Sequence, residues 1–176
     1  MEVNPLSDLE LIPAEAMPLV VLSDNMRSGI SAKIKRHEKG SYNHMMWMVR
    51  PGSFASQNLT FAEQSVSEYY DGYRIKLWHS PSWRTMQRAM IIAAIKKRLE
   101  APWYKRLYDP LQIFGIWSGL RWLQIPGSFR ICSDHSDLLR KVDSYFNLPT
   151  GSSPTQVNKY LTSNPMYEVY GRYMSD

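Results

Sequence analysis

The chain has a single cysteine, Cys132. An intrachain disulfide is therefore excluded, and with it the small secreted scaffolds that use covalent staples in place of a core. Also lacking is an apolar run close to the roughly 20 residues that cross a bilayer. The nearest, 111–126, is short and interrupted by Arg121. The first ten residues carry Glu2, Asp8 and Glu10 and lack the basic start and apolar stretch of a secretory leader. The expectation is a cytoplasmic protein, or a virion-associated one if the source is a bacteriophage. No internal repeat or low-complexity tract is present. The four histidines have no metal-ligand spacing and one cysteine cannot build a zinc site, so no metal or other cofactor is expected.

What is present suits one domain over residues 1–176, a length that calls for no second domain. Apolar residues make up 44% and aromatics 12%, enough for a substantial core, and a charged fraction of 21% with mixed signs argues against disorder. The net charge of +5 invites a nucleic-acid reading. The cations, however, fall in short scattered groups: Lys33, Lys35 and Arg36; Lys96, Lys97 and Arg98; Lys105 and Arg106; Arg140 and Lys141. Most sit where solvated helix faces and helix C-termini favour positive charge. No obligatory nucleic-acid partner is expected, only a mild preference for anionic substrates or surfaces.

The pattern along the chain is mixed. Residues 1–16 read as an extended lead-in with turns. Residues 17–23 form a short apolar run, a buried strand. In 28–38, Ile30 and Ile34 stand one turn apart and Gly40 follows as a stop, a short amphipathic helix. Residues 42–49, 58–64 and 73–79 read as three strands of an antiparallel meander, with 50–57 as a turn. The clearest helix is 82–100, capped by Ser82, with Met86, Met90, Ile91, Ala94, Ile95 and Leu99 in one inward stripe. Residues 103–127 are aromatic and broken by Pro and Gly, suited to short helical turns. Residues 133–146 form a helix, and Ser153-Pro154-Thr155-Gln156 has the spacing of a capping box with proline at the first helical position. Residues 161–176 make a C-terminal tail packing on the domain, in which 168–173 is an edge strand or a surface segment. The fold class is α+β, an antiparallel sheet flanked by helices.

The chemistry centres on Cys132, just before a helix that opens with Ser133-Asp134-His135-Ser136. Unpaired backbone N–H groups and the dipole at a helix start favour thiolate, the nucleophilic form. A lone cysteine is also commonly a small buried hydrophobe. Of the histidines, His37 lies in a charged helix, His79 ends a strand, and His135 is too local to Cys132 to act as its base, though it could cap the helix. His44 opens an apolar strand on one face with Met46 and Met48, and reads either as the base or as a bonded core histidine. A third group should orient the imidazole. Glu63, a carboxylate in an apolar strand, is the first choice, with Gln64 and Glu68 as rivals.

Histidine in a strand, then an acidic residue in the next strand, then a cysteine opening a helix: this order resembles the circularly permuted branch of the NlpC-type papain-like hydrolases, the group of YiiX-like proteins and, more distantly, lecithin:retinol acyltransferase. The matching pieces are Tyr42-Asn43-His44 with its apolar run, Phe61-Ala62-Glu63, Tyr108-Asp109 and Ile131-Cys132-Ser133-Asp134, spread over residues 17–160. Asn43 stands where the family usually has serine, and Asp134 where it has glutamate. The resemblance implies a permuted papain-like fold with the nucleophile at a helix N-terminus, and thiol-based acyl chemistry. Cys132 attacks a carbonyl, His44 carries the proton, Glu63 holds the ring, and the Cys132 N–H binds the oxyanion. Tyr108 would border the site and donate a second bond, unless it is a core tyrosine. The expected substrate is an amide, most naturally a peptidoglycan stem peptide. One alternative is a lipid acyl group, with peripheral membrane contact through 114–122; another is a noncatalytic module with a basic face.

Overall fold

A computed structural model describes residues 2–58, 60–107, 135–144, 146–149 and 152–175, apart from the side chains of Ile30, Ile34, His37 and Glu38. The fold is α+β. A mixed seven-stranded sheet runs in the order β1-β7-β6-β2-β3-β4-β5. Its strands are β1 (Asn4–Pro5), β2 (Leu19–Asn25), β3 (His44–Arg50), β4 (Ser53–Gln57), β5 (Phe61–Ser65), β6 (Tyr73–His79) and β7 (Glu168–Met174). β1 pairs with β7 in parallel and the other neighbours are antiparallel. Among the described residues the α-helices are α1 (Gly29–Glu38), α2 (Thr85–Leu99), α3 (His135–Val142) and α4 (Pro154–Ser163).

Both faces of the sheet are covered, which is why β2 and β3 read as nearly unbroken apolar runs. On one face Val20, Leu22, Met45, Trp47 and Phe61 pack with Ile91 and Ile95 of α2, Leu139 of α3, and Val157 and Leu161 of α4. On the other, Val21, Met46, Met48, Phe54 and Leu77 meet Leu6, Leu9 and Ile12. The lead-in is thus no loose extension: Leu6–Leu11 is a 3-10 turn that roofs the second face.

Local chemistry sets several boundaries. Ser28 caps α1 by accepting from the Ser31 N–H at 3.3 Å. α1 ends on Lys39 in the left-handed region, not on Gly40. Gly40 is needed for another reason: a Cβ there would collide with the Thr155 side chain, so its absence lets α4 close on the chain. Ser153 and Gln156 form the expected capping box at the start of α4. α2 starts later than expected, on Arg84 as cap, while Ser82 bonds Ser80 at 2.8 Å. Its inward residues are Ile91 and Ile95, and Met86 and Met90 are exposed at 70% and 47%.

The largest departure is β4. Residues 53–57 are not a turn but a strand between β3 and β5, so β5 is two strands away from β3. β6 does not continue the meander either; it returns to pair with β2. β7 lies inside the sheet, with β1 at the edge.

Helix α3 is tied down by a buried carboxylate that follows it. Asp143 accepts from Trp83 Nε1 at 3.0 Å and from the Tyr167 hydroxyl at 2.6 Å. Burial, and then the bond to Asp143, push the Tyr167 hydroxyl far above its usual pKa, so it stays a donor. One carboxylate joins the end of α3, the approach to α2 and the approach to β7. Asp143→Ala leaves two buried donors without partners and should cost roughly 2–4 kcal/mol. Tyr167→Phe removes one bond and should cost about 1 kcal/mol. Urea unfolding measures both, and equal costs would show that Asp143 is not the hub.

Candidate functional site

His44 is the first residue of β3, held in register by Ser23 of β2. Alternation places its side chain with Met46 and Met48, on the face away from α2 and α3. It stands at the first position of the strand. Its Nε2 is 2.9 Å from Ser56 Oγ on β4. Burial lowers its pKa to about 4, so the ring is neutral at neutral pH.

Ser56 is the first link of a polar chain. Its hydroxyl points to Asn58 Oδ1 at 3.4 Å; Asn58 Nδ2 donates to Gln64 Oε1 at 2.9 Å; Gln64 Nε2 donates to Glu68 Oε2 at 3.2 Å. Tyr69 OH also donates to Gln64 Oε1, at 2.6 Å. Each donor points toward the carboxylate. With Ser56 donating onward, it accepts from His44 Nε2–H, so Nδ1 carries the lone pair and is the basic atom.

Glu63 is not part of this chain. Across β4 it faces Ala55, and alternation puts it on the same side as Phe61, opposite His44. Its carboxylate pairs with Arg50 and accepts from Ser53 Oγ at 2.5 Å, at the far end of β3. There it lines an open depression of about 260 Å³ with Arg50 and Ser65. The expected His44–Glu63 contact is therefore corrected. It assumed adjacent strands, and β4 lies between them. The two rivals, Gln64 and Glu68, are the residues connected to His44, through Ser56 and Asn58. These two links were missed because 53–57 reads as a turn.

Cys132 and Tyr108 lie outside the described residues. His135, three positions after Cys132 in the sequence, is described. It opens α3 and is 2% exposed, with its ring 5.4 Å from that of Phe61. Its Nε2 is buried with no hydrogen bond among the described residues. Burial, then the charges of Arg98 and His44, hold its pKa well below the usual value. The start of α3 is thus within electrostatic reach of His44. Arg98 closes this corner, lying 4.3 Å over the Phe61 ring and donating to Gln57 Oε1 at 2.8 Å.

Compared with family models, curated proteins and solved structures, the chain matches none of them. The site is therefore read from its own geometry. His79 does not join it. The His37 side chain is outside the described set, and His79 stands 3.8 Å from Glu168 with its ring against Tyr170. Among the described residues no His, Cys, Asp and Glu side chains group as metal ligands, and no helix is long and apolar enough to cross a membrane.

The depressed histidine has a measurable consequence. Between pH 6.5 and about 4 the unfolded chain takes up the His44 proton and the folded chain does not. The stabilisation is complete above that window and falls as pH drops through it, by at most about 1.4 kcal/mol per pH unit. His44→Gln should flatten this part of the acid limb in thermal melts, leaving the share from His135. An unchanged slope would show that His44 is not held neutral by the fold.

Proposed function

We propose that the protein is a cysteine hydrolase of the permuted papain-like type, with Cys132 as nucleophile and His44 as base, acting on an amide bond. The observation that carries this reading is a neutral imidazole fixed by Ser56 through Nε2, with Nδ1 left as the basic atom. A base must be uncharged before the reaction, oriented, and open at one nitrogen. The reach of the His44 charge to His135, just after Cys132, supports the pairing. So does the order of histidine strand and cysteine helix. Ser56 takes the orienting place expected of Glu63, with Asn58, Gln64 and Glu68 behind it.

In this mechanism Nδ1 takes the Cys132 thiol proton. The thiolate attacks the carbonyl carbon, and the imidazolium returns the proton to the departing amine. Water, deprotonated by the same nitrogen, then releases the acid and frees the thiol. The imidazolium made midway is stabilised by donation to Ser56, whose own proton points down the chain to Glu68. Peptidoglycan stem peptides are the amide substrates we favour, on the resemblance of the motifs.

A second reading keeps these residues and changes the substrate to a lipid acyl group. It is favoured by the exposed apolar side chains Met86, Met90, Trp103 and Tyr104 on and just after α2.

The test is cleavage of muropeptides and of phospholipid vesicles by wild type and variants. Cys132→Ala and His44→Ala should each lower kcat by a factor of about 10² or more. Ser56→Ala should lower it about tenfold, and Glu63→Gln should change it less than about threefold. Iodoacetamide should alkylate Cys132 near neutral pH faster than a free thiol, and more slowly in His44→Ala. Fatty-acid release without muropeptide cleavage selects the second substrate. Activity that survives Cys132→Ala, or a thiol inert to the reagent, overturns the mechanism, and the absence of any activity in wild type leaves a noncatalytic module.

A further inference from the structure

A second polar region lies on the helix-covered face, on β6, β7 and β2. Here Lys76 of β6 stands directly opposite Arg172 of β7. Two cations at paired positions repel and cost stability unless something neutralises them. Lys76 is only 6% exposed. Its ammonium has a long bond to Asn158 Oδ1 of α4 at 3.4 Å and lies 4.0 Å over the Trp78 ring. Neither contact is anionic, and among the described residues neither Lys76 nor Arg172 pairs with a carboxylate. Asp24 of the neighbouring β2 is committed elsewhere: it already pairs with Lys35 at 2.8 Å and Arg74 at 3.1 Å.

The surroundings converge on the same spot. Arg74, one alternation before Lys76 on β6, lies 5.2 Å over the Tyr42 ring. Arg172 is exposed, and its charge acts on both Lys76 and Tyr42. The Tyr42 ring is 8% exposed and its hydroxyl has no hydrogen bond among the described residues. Burial, then Arg172, bring the Lys76 pKa down to about 8, the response of a covered ammonium with no counter-ion.

We propose that Lys76 and Arg172, flanked by Tyr42 and Asn158, bind a phosphoryl anion. Two unneutralised cations match the charge of a phosphate dianion. A guanidinium, an ammonium, a phenol and an amide supply donors to its oxygens. Asp24 pairs with Arg74 and holds it in place behind them. The site lies on β6 and β7, strands that carry no part of the His44 chain, and it depends on neither the nucleophile nor the base.

Isothermal titration at constant ionic strength tests it, with inorganic phosphate and glycerol 3-phosphate as probes and chloride as the exchanged ion. Wild type should bind at least one probe saturably. Tighter binding of inorganic phosphate marks a free ion, and tighter binding of the ester marks the phosphoryl group of a larger molecule; either supports the site. Arg172→Gln and Lys76→Met should each weaken binding by roughly tenfold or more. If Lys76→Met does not fold, Arg172→Gln, altered at an exposed side chain, decides alone. Lys105→Gln, an exposed cation elsewhere, should bind as wild type does. No binding of either probe, unchanged affinity in Arg172→Gln, or an equal loss in Lys105→Gln overturns the proposal.

Discussion

Strand β3 has neighbours on both edges and a covered layer on both faces, so a polar group on it must find its partner inside the protein. From this constraint the candidate site follows. Met45 to Met48 meet it by being apolar and fully buried. His44, at the strand's first position, meets it by bonding Ser56. A charged ring there would pay for desolvation with no counter-ion beside it, so the ring stays neutral. Orientation, tautomer and protonation state are thus three results of one burial. Together they are what a general base requires.

Where the strands read correctly from sequence, the reason is this same double burial. β2 and β3 carry enough consecutive apolar residues to mark them as buried strands, and β6 shows itself by alternation. Caps are local, so Ser28 and Ser153 also mark their helices. β4 fails for the opposite reason. Ser53-Phe54-Ala55-Ser56-Gln57 has one large apolar side chain and the composition of a loop, yet all five residues are buried. Its polar side chains are satisfied by contacts distant in sequence: Ser53 by Glu63, Ser56 by His44, Gln57 by Arg98 and the Arg106 carbonyl. No window of sequence reports such partners. The omission moved β5 next to β3 on paper and offered Glu63 to His44. His44 was legible as a candidate base because an imidazole at the head of an apolar run is conspicuous. Its hydrogen-bond partner Ser56 was not, because it lies on the hidden strand.

The stripe on α2 shows a related limit. Periodicity finds the buried pair Ile91 and Ile95 but cannot tell that Met86 and Met90, one position off the contact line, face outward. An apolar residue on a helix reports a face only when the neighbouring layer reaches that far.

Buried polar groups in this fold divide by whether their bonding is complete. Asp143 is bonded by Trp83 and Tyr167, and Asp24 is held between Lys35 and Arg74. Both join elements that the sequence separates, and a carboxylate with two donors has little left to offer a ligand. His44 and Lys76 differ. Each is covered enough to feel desolvation, and among the described residues the hydrogen-bond partner of each is neutral, Ser56 in one case and Asn158 in the other. Each pKa is displaced toward the uncharged form by burial first. A group in that condition gains most from an opposite charge brought to it. In the proposed mechanism that charge is, for His44, a thiolate formed by its own uptake of a proton; in the proposed anion site it is, for Lys76, an anion from outside. The same desolvation that lowers both pKa values is what would make each interaction strong once the partner is in place.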